Sequence, residues 1–285
     1  MDALKIPDSM NPADTDAVYA PLHASPLPAG VTVARNFAYG PDARHRLDLA
    51  HAQDSKDSAR QPRPVLVFVH GGGFTSGERQ RPGTPFHDNV MRWAVGEGMI
   101  GINLTYRLAP EHAWPAGGVD VLAAMGWVRE HAARWGGDPA RIVLFGHSAG
   151  ASHAAEALAR MQEKSSESLP AAAVLLSGIY APADVATTPG RQAYFGADAS
   201  LYEARASVSR LAAARLPLLI AHSEREPREF ADQARALGAA LEKRGGAPQC
   251  EVLEGHNHFS PVMSLGSTDI SFSRTLADFV RRTVS

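Results

Sequence analysis

The stretch Arg141-Ile-Val-Leu-Phe-Gly146-His147-Ser148-Ala149-Gly150-Ala151 decides the fold. It reads as a short apolar strand that passes through Gly-x-Ser-x-Gly into the small residues of a helix. Because this turn is tight, Ser148 is expected in a strained backbone conformation that lifts its hydroxyl above a sheet. The Ala149 amide would lie at a helix N-terminus, where it can donate to a developing oxyanion. We therefore predict that Ser148 is a nucleophile.

Strand and helix signals alternate on both sides of this turn. Apolar or alternating runs predict strands over residues 44–51, 64–70, 99–106, 142–147, 171–180, 216–223 and 249–254. Helical stretches are predicted over residues 89–97, 119–135, 149–164, 229–244 and 268–283. Such alternation predicts a mostly parallel sheet with helices on both faces, and ligand sites beyond the carboxyl ends of its strands.

Composition narrows the class of protein. The chain has 285 residues, 45% of them hydrophobic, and a formal net charge of -2. This size suits one α/β domain over residues 1–285, and the charge gives no reason to expect nucleic acid or an anionic membrane as partner. The N-terminus carries early acidic residues and no apolar run, so we expect a cytoplasmic protein. The single cysteine, Cys250, is expected to be a small buried residue on a strand.

Three segments fall outside the regular alternation. Residues 1–30 contain five prolines and little periodicity, which favours an irregular N-terminal arm with room for a short helical piece. The polar residues 53–63 are predicted to form a surface loop. The widest insertion, about residues 181–215, is modest and contains several charged residues. We expect it to form a small cap.

A second glycine motif follows the apolar strand PVLVFV, as His70-Gly71-Gly72-Gly73-Phe74. Consecutive glycines let backbone N–H groups point inward without blocking a substrate. The amides of Gly72 and Gly73, together with that of Ala149, are therefore predicted to form an oxyanion hole, in which each donor contributes about 3 kcal/mol. A phosphate-binding loop would end in Gly-Lys-Ser/Thr, and that ending is missing here.

Taken together, these motifs carry a family resemblance. The two glycine motifs, Tyr106-Arg-Leu-Ala-Pro-Glu-His112 and Trp135-Gly-Gly-Asp-Pro-Ala-Arg-Ile142 resemble those of hormone-sensitive-lipase-type bacterial carboxylesterases. The sequence is also similar to the feruloyl-esterase-like and kynurenine-formamidase-like branch. The resemblance covers roughly residues 35–283 and implies the α/β-hydrolase fold. It also implies a structural role for residues 106–112, which pack beneath the oxyanion loop in these families.

The general base is expected after the last strand, in Gly255-His256-Asn257-His258-Phe259. In this fold the chain order is nucleophile, acid, histidine. The family pattern places a glycine three residues before the catalytic histidine, which favours His258, and His256 stays as the alternative. A histidine pair also suggests a metal, but no further cluster of ligands supports one. No metal and no cofactor are expected.

The acid is expected after the strand over residues 216–223. The resembled families usually carry aspartate just before a proline, and this sequence departs from that pattern because Glu226 precedes Pro227. Glutamate can orient the histidine in this fold, but its longer side chain requires a slightly different approach. Glu226 is the favoured acid. The alternatives are Glu224, Glu229 and Asp184, the last after the preceding strand.

The expected function is that of a serine carboxylesterase acting on small soluble esters through an acyl-enzyme on Ser148. Phe74, Phe195 and Phe259 are candidate pocket residues, and a small cap favours short acyl chains. An amidase, including an aryl-formamidase, would use the same residues and stays open. A binding protein that has lost catalysis is a remote alternative, because such proteins generally lack one member of the triad. The sequence leaves the oligomeric state open.

Overall fold

The structure, a computed structural model, describes residues 4–23, 30–53, 61–164 and 169–284. The strands in these ranges are β1 (Val31–Ala38), β2 (Arg46–Ala52), β3 (Arg63–Val69), β4 (Ile100–Leu104), β5 (Gly137–His147), β6 (Ala172–Leu176), β7 (Leu218–Arg225) and β8 (Gln249–Asn257). They form one sheet in the order β1-β2-β4-β3-β5-β6-β7-β8. Strand β2 is antiparallel to both of its neighbours, and the pairs from β4 to β8 are parallel.

Helices cover both faces of this sheet. They are α1 (Pro12–Tyr19), α2 (Asp88–Gly96), α3 (Ala116–His131), α4 (Ala149–Lys164), α5 (Pro189–Phe195), α6 (Val208–Leu211), α7 (Arg228–Lys243), α8 (Ser260–Ser264) and α9 (Ser271–Val284). Residues of α3, α4 and α7 pack in one core, and residues of α2 and α9 pack in the other. Alternate residues of β3 feed the two cores, Val65 and Val67 into the first and Leu66 and Phe68 into the second. A strand buried on both faces reads as a continuous apolar run, which is why β3 could be predicted.

The parallel strands bring four loops to one edge of the sheet. The glycine-rich loop follows β3, the serine turn follows β5, Glu226 follows β7 and His258 follows β8. Because parallel strands point their carboxyl ends the same way, these loops meet although they are far apart in the chain. Each of the seven predicted strands overlaps an observed strand, and each of the five predicted helices overlaps an observed helix.

Strand β1 was missed because its polarity pattern is irregular. Its pairing with β2 shifts register between Ala34 and Phe37, and Asn36 within that bulge has a φ of 67°. A bulge inserts an extra residue and breaks the alternation by which a half-buried strand is recognised. The expectation for Cys250 is corrected in part: it lies on the edge strand β8, but its side chain is exposed.

The expected irregular arm is helical over part of its length. Helix α1 is followed by a turn of 3-10 helix over Ala20–His23, where the sequence left room for a short helical piece. Asn11 caps α1 by accepting from the Ala13 amide, and Pro12 occupies the first helical position. Residues 1–3 and 24–29 of the arm, and residues 54–60 of the polar loop, lie outside the described residues.

The insertion over residues 181–215 holds only short elements in the structure. Helices α5 and α6 alternate with 3-10 turns at Pro182–Asp184, Ala199–Leu201 and Glu203–Arg205. Arg210 of α6 anchors the segment to α4 by an ion pair with the buried Glu156, at 2.6 Å. Among the helices of the described residues, none combines the length and the apolar character needed to cross a membrane.

Candidate active site

The serine turn joins β5 to α4 without an intervening loop. Ser148 has a φ of 56°, in the left-handed backbone region that residues other than glycine seldom adopt. A Cβ on Gly146 would lie 2.5 Å from the Gly150 carbonyl oxygen, and one on Gly150 would lie 2.1 Å from the Val69 carbonyl oxygen. Only glycine fits at both positions, so the sequence forces the sharp turn that presents the Ser148 hydroxyl.

The structure places His258 beside Ser148. Its Nε2 lies 2.9 Å from Ser148 Oγ, and its Nδ1 lies 2.6 Å from Glu226 Oε2. The ring is 2% exposed and is flanked by Phe230 and Phe259, with centroids 4.6 and 5.0 Å away. A carboxylate only accepts, so Nδ1 carries its hydrogen toward Glu226 and Nε2 is left to accept the proton of Ser148.

The second histidine of the pair faces away from the serine. His256 Nδ1 lies 2.8 Å from Ser260 Oγ, and its Nε2 lies 2.7 Å from Ser271 Oγ. Burial lowers the pKa of His256 from its usual value. Residues two apart in a strand share a face, but β8 ends at Asn257. His256 therefore belongs to the strand and His258 to the loop after it, and their environments differ.

Among the four candidate acids, the structure brings only Glu226 to the histidine. Its side chain is 1% exposed, and its second oxygen, Oε1, accepts from Ser177 Oγ at 2.9 Å and from the Ser223 amide at 2.8 Å. The other three candidates lie elsewhere. Glu224 accepts from the Gly255 amide, Glu229 pairs with Arg191, and Asp184 lies exposed in a 3-10 turn.

The glycine-rich loop after β3 curls around the serine turn. Gly72 and Gly73 have φ values of 138° and 59°, and the Gly72 carbonyl accepts from the Thr75 and Ser76 amides. The amides of Gly72, Gly73 and Ala149 make no hydrogen bond with any described residue, and all three residues line the same cavity as Ser148. Free N–H groups beside a nucleophile are suited to hold a negative oxygen.

Residues 106–112 support this loop from below. The Tyr106 hydroxyl donates to the His70 carbonyl at 2.8 Å, and the two rings stack with centroids 4.5 Å apart. Burial raises the pKa of Tyr106, which keeps its hydroxyl neutral and donating. Glu111 is largely exposed and pairs weakly with His112, so neither residue reaches the serine.

A family model described as alpha/beta hydrolase fold matches residues 66–261, more than half of the 285 residues. The chain belongs to the alpha/beta hydrolase family. The match runs from β3 into α8, so it includes the serine turn, Glu226 and His258.

Curated relatives of this family member include esterases of Mycobacterium tuberculosis. Carboxylesterase NlhH is 51% identical over 88 residues, which are 30% of this chain and 26% of that protein. Esterase LipQ is 28% identical over 269 residues, which are 86% of this chain and 61% of that protein. The chain therefore spans less than two thirds of the length of either relative.

Solved structures of similar fold cover nearly the whole chain. The Pyrobaculum calidifontis esterase has a TM-score of 0.73 and 21% identity, and covers 95% of this chain and 91% of its own. Esterase B from Lactobacillus rhamnosis has a TM-score of 0.73 and 17% identity, with coverage of 95% and 93%. These likenesses confirm the predicted α/β-hydrolase fold.

A cavity of about 520 Å³ opens over Ser148. Among the residues that line it are Phe74 and Phe259, together with Ile179, Phe230, Val262 and Met263. The prediction for Phe195 is corrected. That ring is 3% exposed and packs behind Phe74, with centroids 5.3 Å apart, in a cluster with Tyr194 and Tyr202. It therefore packs against the lining residue Phe74 and does not line the cavity itself.

His147 is a site residue that the sequence analysis did not single out. Its Nε2 lies 2.8 Å from the His258 carbonyl oxygen, and since a carbonyl only accepts, Nε2 must donate. Burial and the neighbouring His258 hold the pKa of His147 far below its usual range, so the ring is neutral. Its position immediately before the nucleophile was the only signal available in the sequence.

The N-terminal arm also reaches the site. Met10 and Pro12 line the cavity. The buried Asn257 side chain donates to the Pro7 carbonyl and to Thr15 Oγ1, each at 2.8 Å, while its own Oδ1 accepts from the backbone of the histidine loop. Asn257 thus ties the arm to the loop that carries His258.

Proposed function

We propose that this protein is a serine carboxylesterase that hydrolyses short-chain, soluble esters through an acyl-enzyme on Ser148. The observation that carries the proposal is the continuous hydrogen-bonded chain Glu226–His258–Ser148, at 2.6 and 2.9 Å, which ends in a cavity lined by free amides. The printed names of the curated relatives, carboxylesterase and esterase, support the same reaction.

The geometry supports a two-step mechanism. His258 Nε2 takes the proton of Ser148 as the hydroxyl attacks the ester carbonyl, and Glu226 stabilises the imidazolium that forms. The amides of Gly72, Gly73 and Ala149 hold the tetrahedral oxygen. His258 then protonates the departing alcohol, and a water activated by the same ring releases the acid. Side chains and amides of the chain serve every step, so the proposal requires no metal or cofactor.

The charges around the cavity favour a neutral substrate. Each charged side chain of the described lining is ion-paired, namely Glu78 with Arg44, Arg81 with Asp16 and Arg191 with Glu229. A substrate with an ammonium and a carboxylate, such as N-formylkynurenine, would find no unmatched partner among these groups. This observation favours the esterase over the aryl-formamidase, and the presence of all three triad side chains favours both over a binding protein.

The proposal extends to the domain organisation and to the cap. We propose one hydrolase domain in which residues 181–215 form a small cap beside the cavity, since α5 of that segment contributes Arg191 to the lining. The described residues hold no group of three or more side chains placed to bind a metal ion. A cytoplasmic location stays a prediction from the sequence.

A chain-length series tests the proposed substrate class. Each methylene buried in the apolar part of the cavity contributes about 0.8 kcal/mol until that part is full, after which longer chains gain nothing or clash. We expect kcat/KM on nitrophenyl esters to peak between acyl chains of about two and six carbons and to fall beyond about eight. Aryl acetamides and N-formylkynurenine serve as the amide arm of the panel.

The same series, repeated on emulsified triglyceride, separates an esterase from a lipase. A maximum at the palmitate ester, or a jump in rate on the emulsion, would contradict the proposed class. A higher kcat/KM on N-formylkynurenine than on every ester would make the protein a formamidase instead.

Replacing Gly72 by alanine tests the oxyanion hole. A Cβ there would lie 2.0 Å from the Ser76 carbonyl oxygen, so the loop must move and withdraw its amides. We expect kcat to fall by about 100-fold or more, the effect of losing one oxyanion donor. Gly83→Ala is the matched control, because Gly83 has a φ of 75° but no atom within 4 Å of the added Cβ. Equal rates for the two variants would contradict this role of the loop.

A further inference from the structure

The carboxylate of Glu226 has two oxygens, and only one of them serves His258. The side chain is 1% exposed, so the other oxygen cannot rely on water. A buried carboxylate oxygen without a donor is unstable, which makes the donors to Oε1 important. Those donors are the Ser223 amide, at 2.8 Å, and Ser177 Oγ, at 2.9 Å.

The two donors differ in which part of the sheet they connect to Glu226. Ser223 lies only three residues before Glu226, within β7, so its amide belongs to the same strand that leads into Glu226. Ser177 comes from the end of the neighbouring strand β6, and it is 1% exposed. Its preceding residue, Leu176, accepts a hydrogen bond from the Ser148 amide at 2.8 Å. The end of β6 therefore holds both the nucleophile and the carboxylate.

The strained backbone of Ser177 indicates a functional role for its side chain. Its φ is 53°, in the left-handed region that glycine adopts without strain and other residues adopt at a cost. Because glycine would satisfy the backbone here, the hydroxyl is what the strained residue supplies. An outlier of this kind beside a reactive group is a reasonable pointer to function.

We infer that Ser177 is a positioning residue of the triad, which turns the carboxylate of Glu226 so that Oε2 meets His258. This inference rests on the proposed function of Ser148, Glu226 and His258. Glutamate has one more rotatable bond than aspartate, and that freedom would let the carboxylate swing away from the ring. The Ser177 hydroxyl donates a hydrogen bond to Oε1 and removes this freedom, so glutamate can orient the histidine as aspartate would.

Two substitutions separate the hydroxyl from the backbone. Ser177→Ala removes the hydroxyl and keeps the strained backbone, whereas Ser177→Gly removes the hydroxyl and relieves the strain. The readout is the rate of Ser148 labelling by a fluorophosphonate, which reports nucleophile activation without assuming any ester substrate. For both variants we expect the maximal labelling rate to fall by about 10- to 100-fold, the effect of losing a hydrogen bond to a charged group. The probe concentration at half-maximal rate should stay unchanged, because Ser177 is not among the residues that line the cavity.

A double-mutant cycle distinguishes positioning from a merely structural role. In a Glu226→Ala background the hydroxyl has lost its partner, so adding Ser177→Ala should change the labelling rate by less than about twofold. Ser207→Ala is the matched control, since Ser207 is also buried and its hydroxyl bonds only a backbone carbonyl. Circular dichroism melting checks that each variant is folded.

Two results would overturn the inference. One is a wild-type labelling rate in Ser177→Gly, which would mean that the backbone alone matters. The other is an equal fall on Ser177→Ala with and without Glu226, which would place the effect outside the carboxylate. Normal labelling of the wild type without hydrolysis of any ester would instead contradict the proposed function and leave the cycle readable.

Discussion

Replacing Ser148 by alanine is expected to lower kcat by about 10⁶-fold, as loss of a triad nucleophile does in other hydrolases. The Ser148 hydroxyl is the group that we propose to form the acyl bond, and His258 Nε2 lies 2.9 Å away to accept its proton. The small residual rate would come from the amides of Gly72, Gly73 and Ala149 and from substrate binding. Hydrolysis of nitrophenyl acetate and covalent labelling by a fluorophosphonate both measure the change.

The Ser148→Ala variant should remain folded, because alanine fits the space of serine and keeps the same backbone. Its melting temperature, measured by circular dichroism, is therefore the control. Rapid hydrolysis by a pure and folded Ser148→Ala sample would refute the mechanism as a whole, and labelling of that sample would place the nucleophile elsewhere.

Replacing Glu226 by glutamine is expected to lower kcat by about 10³- to 10⁴-fold. Ser177 and the Ser223 amide would hold the amide oxygen in the place of Oε1, so the amide nitrogen would face His258 Nδ1. An N–H donates, hence Nδ1 would have to accept and Nε2 would carry the hydrogen. A ring in that tautomer cannot take the proton of Ser148.

The other candidate acids provide controls for Glu226. Glu224→Gln and Asp184→Asn change exposed carboxylates that do not contact the ring, so we expect kcat within about twofold of wild type for both. Glu229→Gln breaks the pair with Arg191 and should act on KM, because Arg191 lines the cavity. If Asp184→Asn abolished turnover while Glu226→Gln kept more than about a tenth of it, the acid would have to be reassigned.

Much of the fold could be predicted because its determinants are local. A buried parallel strand is a continuous apolar run, and the serine turn tolerates only small residues at 146 and 150, so both leave marks in the sequence. The choice of His258 over His256 also came from a short local motif, the glycine that lies three residues before the catalytic histidine in the resembled families. For the acid, several carboxylates follow β7, and only the register of the folded loop shows which of them reaches the ring.

The residues that the sequence did not reveal act through contacts between distant segments. Asn257 bonds Thr15 across 242 positions of the chain, and Ser177 bonds Glu226 across 49. No periodicity or spacing encodes such pairs. Phe195 was misassigned for a related reason, since an aromatic side chain in a short helix suits a pocket wall and a packed core equally well. The bulge in β1 hid a whole strand by interrupting its alternation.

Three of the four non-glycine residues with a left-handed backbone, among those described, lie at the site: Ser148, Phe74 and Ser177. Each such residue destabilises the native state by about 1 kcal/mol or more, in a balance that totals only about 5–15 kcal/mol for a typical domain. Glycine at these positions would relieve the strain and remove the nucleophile, a pocket wall and a carboxylate donor. Selection for thermostability alone would therefore favour the loss of these three side chains, and the most stable variant of this fold would be catalytically inactive.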